Sequence, residues 1–171
     1  MSEIRTTCPD DREWVQGLLV EHWGETRVVS RGRVHQAELL PGFVAVRDGA
    51  RCGLLTYRVE GGELEVVSLN ALTAGQGVGT SLLVAAAEAA REAGCRRLWL
   101  ITTNDNLAAL RFYQRRGLHL AALHRSALDV SRRLKPSIPR LGIDGIPLRD
   151  ELELEVILGN RGDSPGRNSD F

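Results

Sequence analysis

A chain of 171 residues, 43% of them hydrophobic, is long enough to bury a sizeable core and fits one domain. Lysine plus arginine balance aspartate plus glutamate at 22 each, so no net field draws the chain to nucleic acid or to an anionic membrane. Cys8, Cys52 and Cys95 are odd in number, far apart and without a histidine pair nearby, which argues against a disulfide framework and against a zinc or other metal site.

The first residues, Met1 to Arg5, form no apolar signal segment, and no run approaches membrane-spanning length. A reducing cytoplasm is the expected setting. Ile4 to Thr7 predict a short first strand. Pro9-Asp10-Asp11 open a helix whose apolar stripe is Trp14, Leu18, Leu19 and Trp23. Residues 24–41 are polar and irregular, and the expectation there is a second short helix with a lid or substrate loop. Phe43 to Arg47 and Cys52 to Val59, joined by Asp48-Gly49, read as a hairpin. Glu60-Gly61-Gly62 turns the chain again, and Glu63 to Leu69 continues the antiparallel meander.

The stretch from Leu69 to Leu83 is a strand end, a glycine-rich turn and the start of a helix. Gly75, Gly77 and Gly79 strip side chains from the turn, so backbone N–H groups can approach a ligand closely. The positive end of the following helix, about 78–93, adds its dipole, and the two together make an anion site suited to phosphate. A dinucleotide fingerprint does not fit, because the third glycine comes one place early and the next strand ends without an acid. No lysine follows the glycines, so a Gly-x-x-x-x-Gly-Lys-Ser/Thr loop is absent as well.

Gly94 stops that helix, and Arg97 to Thr102 form an apolar strand that its helical entry makes parallel to the previous one. A second helix runs from about Asn106 to Arg116 and stops at Gly117, followed by a strand over Leu118 to Leu123. Leu128 to Lys135 suit a short helix, and a proline-punctuated loop reaches Pro147. Leu152, Leu154 and Val156 then alternate with Glu151, Glu153 and Glu155, a half-buried strand with acids on its other face. Residues 159–171 read as a disordered tail. The order of elements makes an α/β (α+β) domain with a mixed sheet over residues 1–158.

Two motifs carry a resemblance. Ala74-Gly75-Gln76-Gly77-Val78-Gly79 is similar to a Gln/Arg-x-x-Gly-x-Gly/Ala turn, with Ala74 departing at the first place. Asn106-Leu107-Ala108-Ala109-Leu110-Arg111-Phe112-Tyr113-Gln114-Arg115-Arg116-Gly117-Leu118 resembles an Asn-x-x-Ala-x-x-Phe-Tyr-x-x-x-Gly-Phe segment, with Leu118 in the last place. In that order and about 30 residues apart, they identify the chain as a member of the GNAT acyl-CoA N-acyltransferase superfamily. The match covers about Phe43 to Leu120.

The resemblance implies a mostly antiparallel central sheet of about seven strands flanked by helices. It implies direct transfer of acetyl from acetyl-CoA to an amine of a small molecule, peptide or protein; the histidines show no ligand spacing, so no metal is expected. The turn residues Gln76, Gly77, Val78, Gly79 and Thr80 would hold the CoA pyrophosphate, and Ala74 would weaken one contact. Asn106 would bind the pantetheine arm, although the same residue type also suits a helix N-cap. Tyr113 would protonate the departing thiolate. Asn106 and Tyr113, seven apart, share nearly one helix face. The strand before the turn would bulge, with backbone groups of Leu69 and Ala71 on the pantetheine and thioester, Leu69 as oxyanion donor. Family habit also allows a homodimer.

A protonated amine has no lone pair, so some group must accept a proton. Glu65 is the best candidate, in alternation phase with Leu69 and Ala71. Glu63 shares the phase but lies further off, and a bulge would turn Ser68 or Asn70 to the acceptor instead. His22, Arg33 and His35 could line an acceptor pocket. Asp150, Glu151 and Glu153 could attract a cationic amine, or simply cover a sheet face. The alternative function is a non-catalytic acyl-CoA binder or sensor of the same fold.

Overall fold

The computed structural model describes residues 1–159, so the expected tail lies outside the described residues beyond Gly159. The elements are β1 (Glu3–Thr6), α1 (Arg12–Trp23), β2 (Arg27–Ser30), β3 (Arg33–Gln36), β4 (Gly42–Arg47), β5 (Ala50–Glu60) and β6 (Glu63–Ala71). After these come α2 (Val78–Glu92), β7 (Arg97–Thr103), α3 (Leu107–Gln114), β8 (His119–His124), α4 (Ala127–Leu134) and β9 (Glu151–Ile157). Seven strands form one sheet in the order β1-β4-β5-β6-β7-β9-β8, mostly antiparallel as the resemblance implies. Among the described residues only the neighbours β6 and β7 are parallel, with α2 crossing over between them.

One sheet face carries Leu55, Leu64, Val66, Leu98 and Leu100 under α2 and α3. The α2 contribution is Leu82, Leu83, Ala86, Ala87 and Ala90, all fully buried, and the alanines let the helix lie close to the strands. Gly53 on β5 is needed for the same approach: a Cβ there would stand 2.6 Å from Val78 Cγ1. The opposite face carries Val44, Leu54 and Val67 under α1, packed by Val15, Leu18 and Leu19. The start of α1 is pinned by Asp11, whose buried carboxylate accepts from Arg5 at 2.7 and 2.8 Å, from Arg51 Nε at 2.8 Å and from the Cys8 N–H at 2.9 Å.

One expectation is corrected and another sharpened. Residues 24–41 hold no second α-helix; β2 and β3 pair there as a separate hairpin, followed by a short 3-10 turn at Ala37–Leu39. Arg31 and Gly32 turn that hairpin with φ of 49° and 69°, the two left-handed residues of a type I′ turn. The acids of β9 share one face, as their alternation predicts, and that half-buried face is covered more deeply than the alternation shows. Glu151 and Glu153 are 1% and 4% exposed, because the hairpin and α4 lie over that face.

Candidate active site

The glycine turn brings its backbone to the surface. Gly75 and Gly77 have φ of 75° and 74°, with open space where a Cβ would be. Gly77 is the N-cap of α2 and offers no side chain to the first turn. Its carbonyl accepts the Ser81 N–H at 3.0 Å, which leaves the N–H groups of Val78, Gly79 and Thr80 facing the turn. The geometry and charge suit a phosphate. Gln76 is exposed, and its carbonyl accepts from Arg47 Nη2 at 3.3 Å, so a guanidinium from β4 stands at the turn where Ala74 supplies no polar group.

Beside the turn the sheet splits. β6 and β7 pair only from Glu63↔Arg97 to Val66↔Leu100, yet the strands continue to Ala71 and Thr103. The β7-side backbone groups of residues 67–71 therefore have no strand partner among the described residues. Unpaired strand groups beside this side-chain-free turn form a slot that an extended polar chain can enter by adding its own hydrogen bonds. Leu69 and Ala71 lie along it.

A bulge in β6 decides which side chains share a face. Ser68 pairs with Thr56 but Val66 pairs with Tyr57, so Val67 is the extra residue. Val67 packs with the α1 core, whereas Leu69 packs with the α2 core. Glu65 therefore shares its face with Ser68 and Asn70, and not with Leu69 and Ala71 as unbroken alternation predicts. Ser68 bonds Thr56 at 2.6 Å, and Asn70 accepts from Trp23 Nε1 at 3.3 Å, both on the α1 side.

The structure gathers Leu69, Gly79 and Tyr113 around Phe112. The Phe112 ring stands where a Cβ of Gly79 would reach it at 2.9 Å, and Leu69 Cδ2 would be 3.8 Å from that same Cβ. Tyr113 packs edge-on against Phe112 at 5.2 Å, and it is buried. Burial pushes its hydroxyl up to about 12, so it remains an un-ionised donor at neutral pH. Arg116 ties α3 to α2, donating to Thr80 Oγ1 at 2.6 Å and covering the Phe112 ring at 3.7 Å. Asn106 caps α3: its Oδ1 accepts the Ala109 N–H at 3.0 Å, which leaves the amide NH2 for a ligand. The loop after α4 closes beside it, since Asp105 accepts the Ile143 N–H at 2.8 Å.

Glu65 is apart from this group, beneath the β2–β3 hairpin. It is 4% exposed, accepts from Ser30 Oγ at 3.2 Å and lies 3.6 Å from His35 Nε2. Burial raises its pKa above the ordinary carboxylate value, against the pull of Ser30 and Arg58. His35 is equally buried and is held down to about 4, by desolvation first and then by Arg58 and Arg33. The same face contains Glu151 and Glu153, which the sequence offers either to a cationic amine or as a sheet covering, together with Trp99, and Arg31 reaches in from the hairpin turn. Their alternation was legible, but what buries them comes from another part of the chain.

Residues 8–118 match the acetyltransferase (GNAT) family. The chain belongs to that family. A relative in Bacillus subtilis strain 168, the uncharacterized protein YdhI, is 41% identical over 142 residues, 82% of this chain and 89% of that protein. Among solved structures, a Bacillus subtilis acetyltransferase in complex with CoA superposes with a TM-score of 0.68 at 18% identity, covering 92% of this chain and 99% of the other. A GNAT family acetyltransferase from Elizabethkingia anophelis with acetyl-CoA bound gives 0.65 at 15%, covering 92% and 98%. At such identities these structures establish the shared fold.

Proposed function

We propose that this acetyltransferase moves the acetyl group of acetyl-CoA directly to an amine, with residues 1–158 working as one unit. The observation that carries the reading is the split between β6 and β7, opening beside the side-chain-free turn at the start of α2. Val78, Gly79 and Thr80 would take the pyrophosphate on their N–H groups, with Gln76 and Gly77 shaping the turn. The amide of Asn106 and the free backbone of β6 would take the pantetheine. The N–H of Leu69 would polarise the thioester carbonyl, and Ala71 would help seat the arm.

Tyr113 would donate to the sulfur as the bond to carbon breaks. A thiolate is a stronger base in a dry slot than in water, for the same desolvation that raises the tyrosine, so the pair is better matched than free values suggest. The attacking amine must arrive neutral. Glu65 would accept its proton through water, since the bulge turns the carboxylate away from Leu69. Three free cysteines and the absence, among the described residues, of any helix long and apolar enough to cross a membrane are compatible with a reducing cytoplasm.

Thermal melting with and without acetyl-CoA, on wild type and on Gly77→Asp, tests the site. A ligand at about 100 times its Kd adds about 2.7 kcal/mol, or about 5–11 °C for a chain of this size. Aspartate tolerates the left-handed backbone better than most residues and meets nothing within 4 Å there, but it sets a negative charge against the phosphate. A shift in wild type that vanishes in Gly77→Asp supports the turn as the binding site. An equal shift in both removes it. Thiol release on adding amines then separates an enzyme from a non-catalytic binder.

A further inference from the structure

We propose that the acceptor is an amine with a second cationic nitrogen, and that this distal cation takes the place Arg31 now holds between Glu153 and the face of Trp99. The inference rests on the acetyltransferase reading above and names its substrate class.

The nitrogen that attacks a thioester must be neutral, so buried acids near the slot serve a nitrogen that keeps its charge. Three carboxylates converge under the β2–β3 hairpin, with Glu65, Glu151 and Glu153 at 4%, 1% and 4% exposure. Glu153 lies opposite Ile101 and Glu151 opposite Thr103, on the stretch of β7 that has already left β6. Glu151 accepts from two neutral donors, the Arg31 N–H at 2.9 Å and Ser131 Oγ at 3.4 Å. Among the described residues no cationic side chain lies within 4.0 Å of it.

The cations already present differ in how firmly they are held. Arg97 pairs with Glu63, Glu153 and Glu155, and its side chain is 20% exposed. Arg31 has one carboxylate, Glu153 at 3.4 Å, and its side chain is 48% exposed. Its guanidinium stands 5.9 Å from the centre of the Trp99 ring, at the distance of a cation on an aromatic face. Arg31 also occupies the left-handed region, φ 49°, at a turn position where asparagine, aspartate or glycine is the ordinary choice. The chain thus holds an arginine in an unfavourable conformation, its backbone fixed by Glu151 and its side chain held against a buried acid by one loose ion pair. A substrate cation that displaces it preserves the charge balance of the cradle, whereas an anionic or neutral group does not.

A second, independent feature points to a ligand at the inner end. His35 is 4% exposed, and its Nε2 has no hydrogen-bond partner among the described residues. Glu65 Oε1 is 3.6 Å away, too far for a hydrogen bond with either tautomer. A water that relays the proton of the amine to Glu65 brings both an O–H and a lone pair and completes the set. The inner end thus holds a donor-acceptor pair that does not satisfy itself, and the other end holds Arg31 beside Arg97, 5.2 Å from the Trp99 centre, and His124, 2.8 Å from Glu153, with Arg31 the most exposed of the three.

Calorimetric titration of the full chain, saturated with CoA, tests this with agmatine, 1,4-diaminobutane and n-butylamine at equal ionic strength. Agmatine carries the guanidinium of Arg31 and a free primary amine on one four-carbon stem. Agmatine and diaminobutane should bind at least about tenfold more tightly than n-butylamine. Arg31→Ala should raise agmatine affinity by about threefold or more, because the resident cation is gone, and Glu153→Gln should abolish the preference. If Glu153→Gln does not fold, Arg31→Ala decides alone, since that side chain is half exposed. Equal binding of agmatine and n-butylamine, no binding by either diamine, or weaker agmatine binding by Arg31→Ala overturns the assignment while CoA still binds. Failure of CoA itself to bind overturns the acetyltransferase reading instead.

Discussion

Alanine at Gly79 is the sharpest test of how α2 and α3 are fitted together at the site. Gly79 has no left-handed φ, so the substitution adds a methyl group without backbone strain. That methyl would stand 2.9 Å from Phe112 Cζ and 3.2 Å from Cε2. The ring has little room to turn away, with the Arg116 guanidinium 3.7 Å over its centre and Tyr113 packed edge-on at 5.2 Å. The helix bearing Tyr113 must shift instead. Overpacking of this kind costs about 1–3 kcal/mol, while the better helix propensity of alanine returns at most about 1 kcal/mol. The clash wins by up to about 2 kcal/mol, a fall in Tm of up to about 8 °C in calorimetry. Phe112→Leu removes the atoms that the methyl strikes, so Gly79→Ala should cost at least about 1 kcal/mol less in that background. Melting at or above the wild-type temperature, or the same loss in both backgrounds, would refute the packing argument.

Tyr113→Phe keeps the ring and its packing and removes only the donor. It should lower kcat by about 10²-fold or more while leaving CoA affinity and Tm near wild type. A kcat within a few-fold of wild type would leave tyrosine without a proton-donating role. His35 predicts a pH effect on stability. Its folded pKa of about 4 lies below the ordinary histidine value, so as pH falls through about 6.5 the unfolded chain takes up a proton that the folded chain declines. Stability is therefore lost between about pH 6.5 and 4, by up to about 3 kcal/mol. Buried Glu65 and Glu151, both raised by desolvation, act in the opposite sense. The readout is the difference between wild type and His35→Gln in denaturant titrations across that range, and parallel curves would exclude His35 as the titrating group.

Much of the site was readable in one dimension because its determinants are local. A glycine turn needs left-handed φ and open space, and Gly75 and Gly77 advertise both. Helix α3 shows its cap, its Phe-Tyr pair and its stop within about a dozen residues. The two hairpin turns show where local signals end. Asp48-Gly49 and Arg31-Gly32 both have φ above zero at both places, yet only the first has the aspartate that marks such a turn. Arginine at position 31 hid β2 and β3, and its partners, Glu151 and Glu153, lie some 120 residues further on.

Periodicity failed at two places where the third dimension intervenes. Alternation along β6 joins Glu65 to Leu69, until one bulged residue, Val67, reverses the phase and sends them to opposite faces. Alternation along β9 sorted its acids correctly onto one face, but that face is closed by a hairpin and a helix from elsewhere in the chain. The sequence alone determined the elements in their order, the helical entry that makes one strand parallel to the last, the side-chain-free turn and the helix that carries Tyr113, because each depends on neighbours within a few residues. Only the tertiary structure decided which carboxylates are buried, which side of β6 each residue faces and what stands over Trp99. Those outcomes depend on strand register and on which distant segment covers a face.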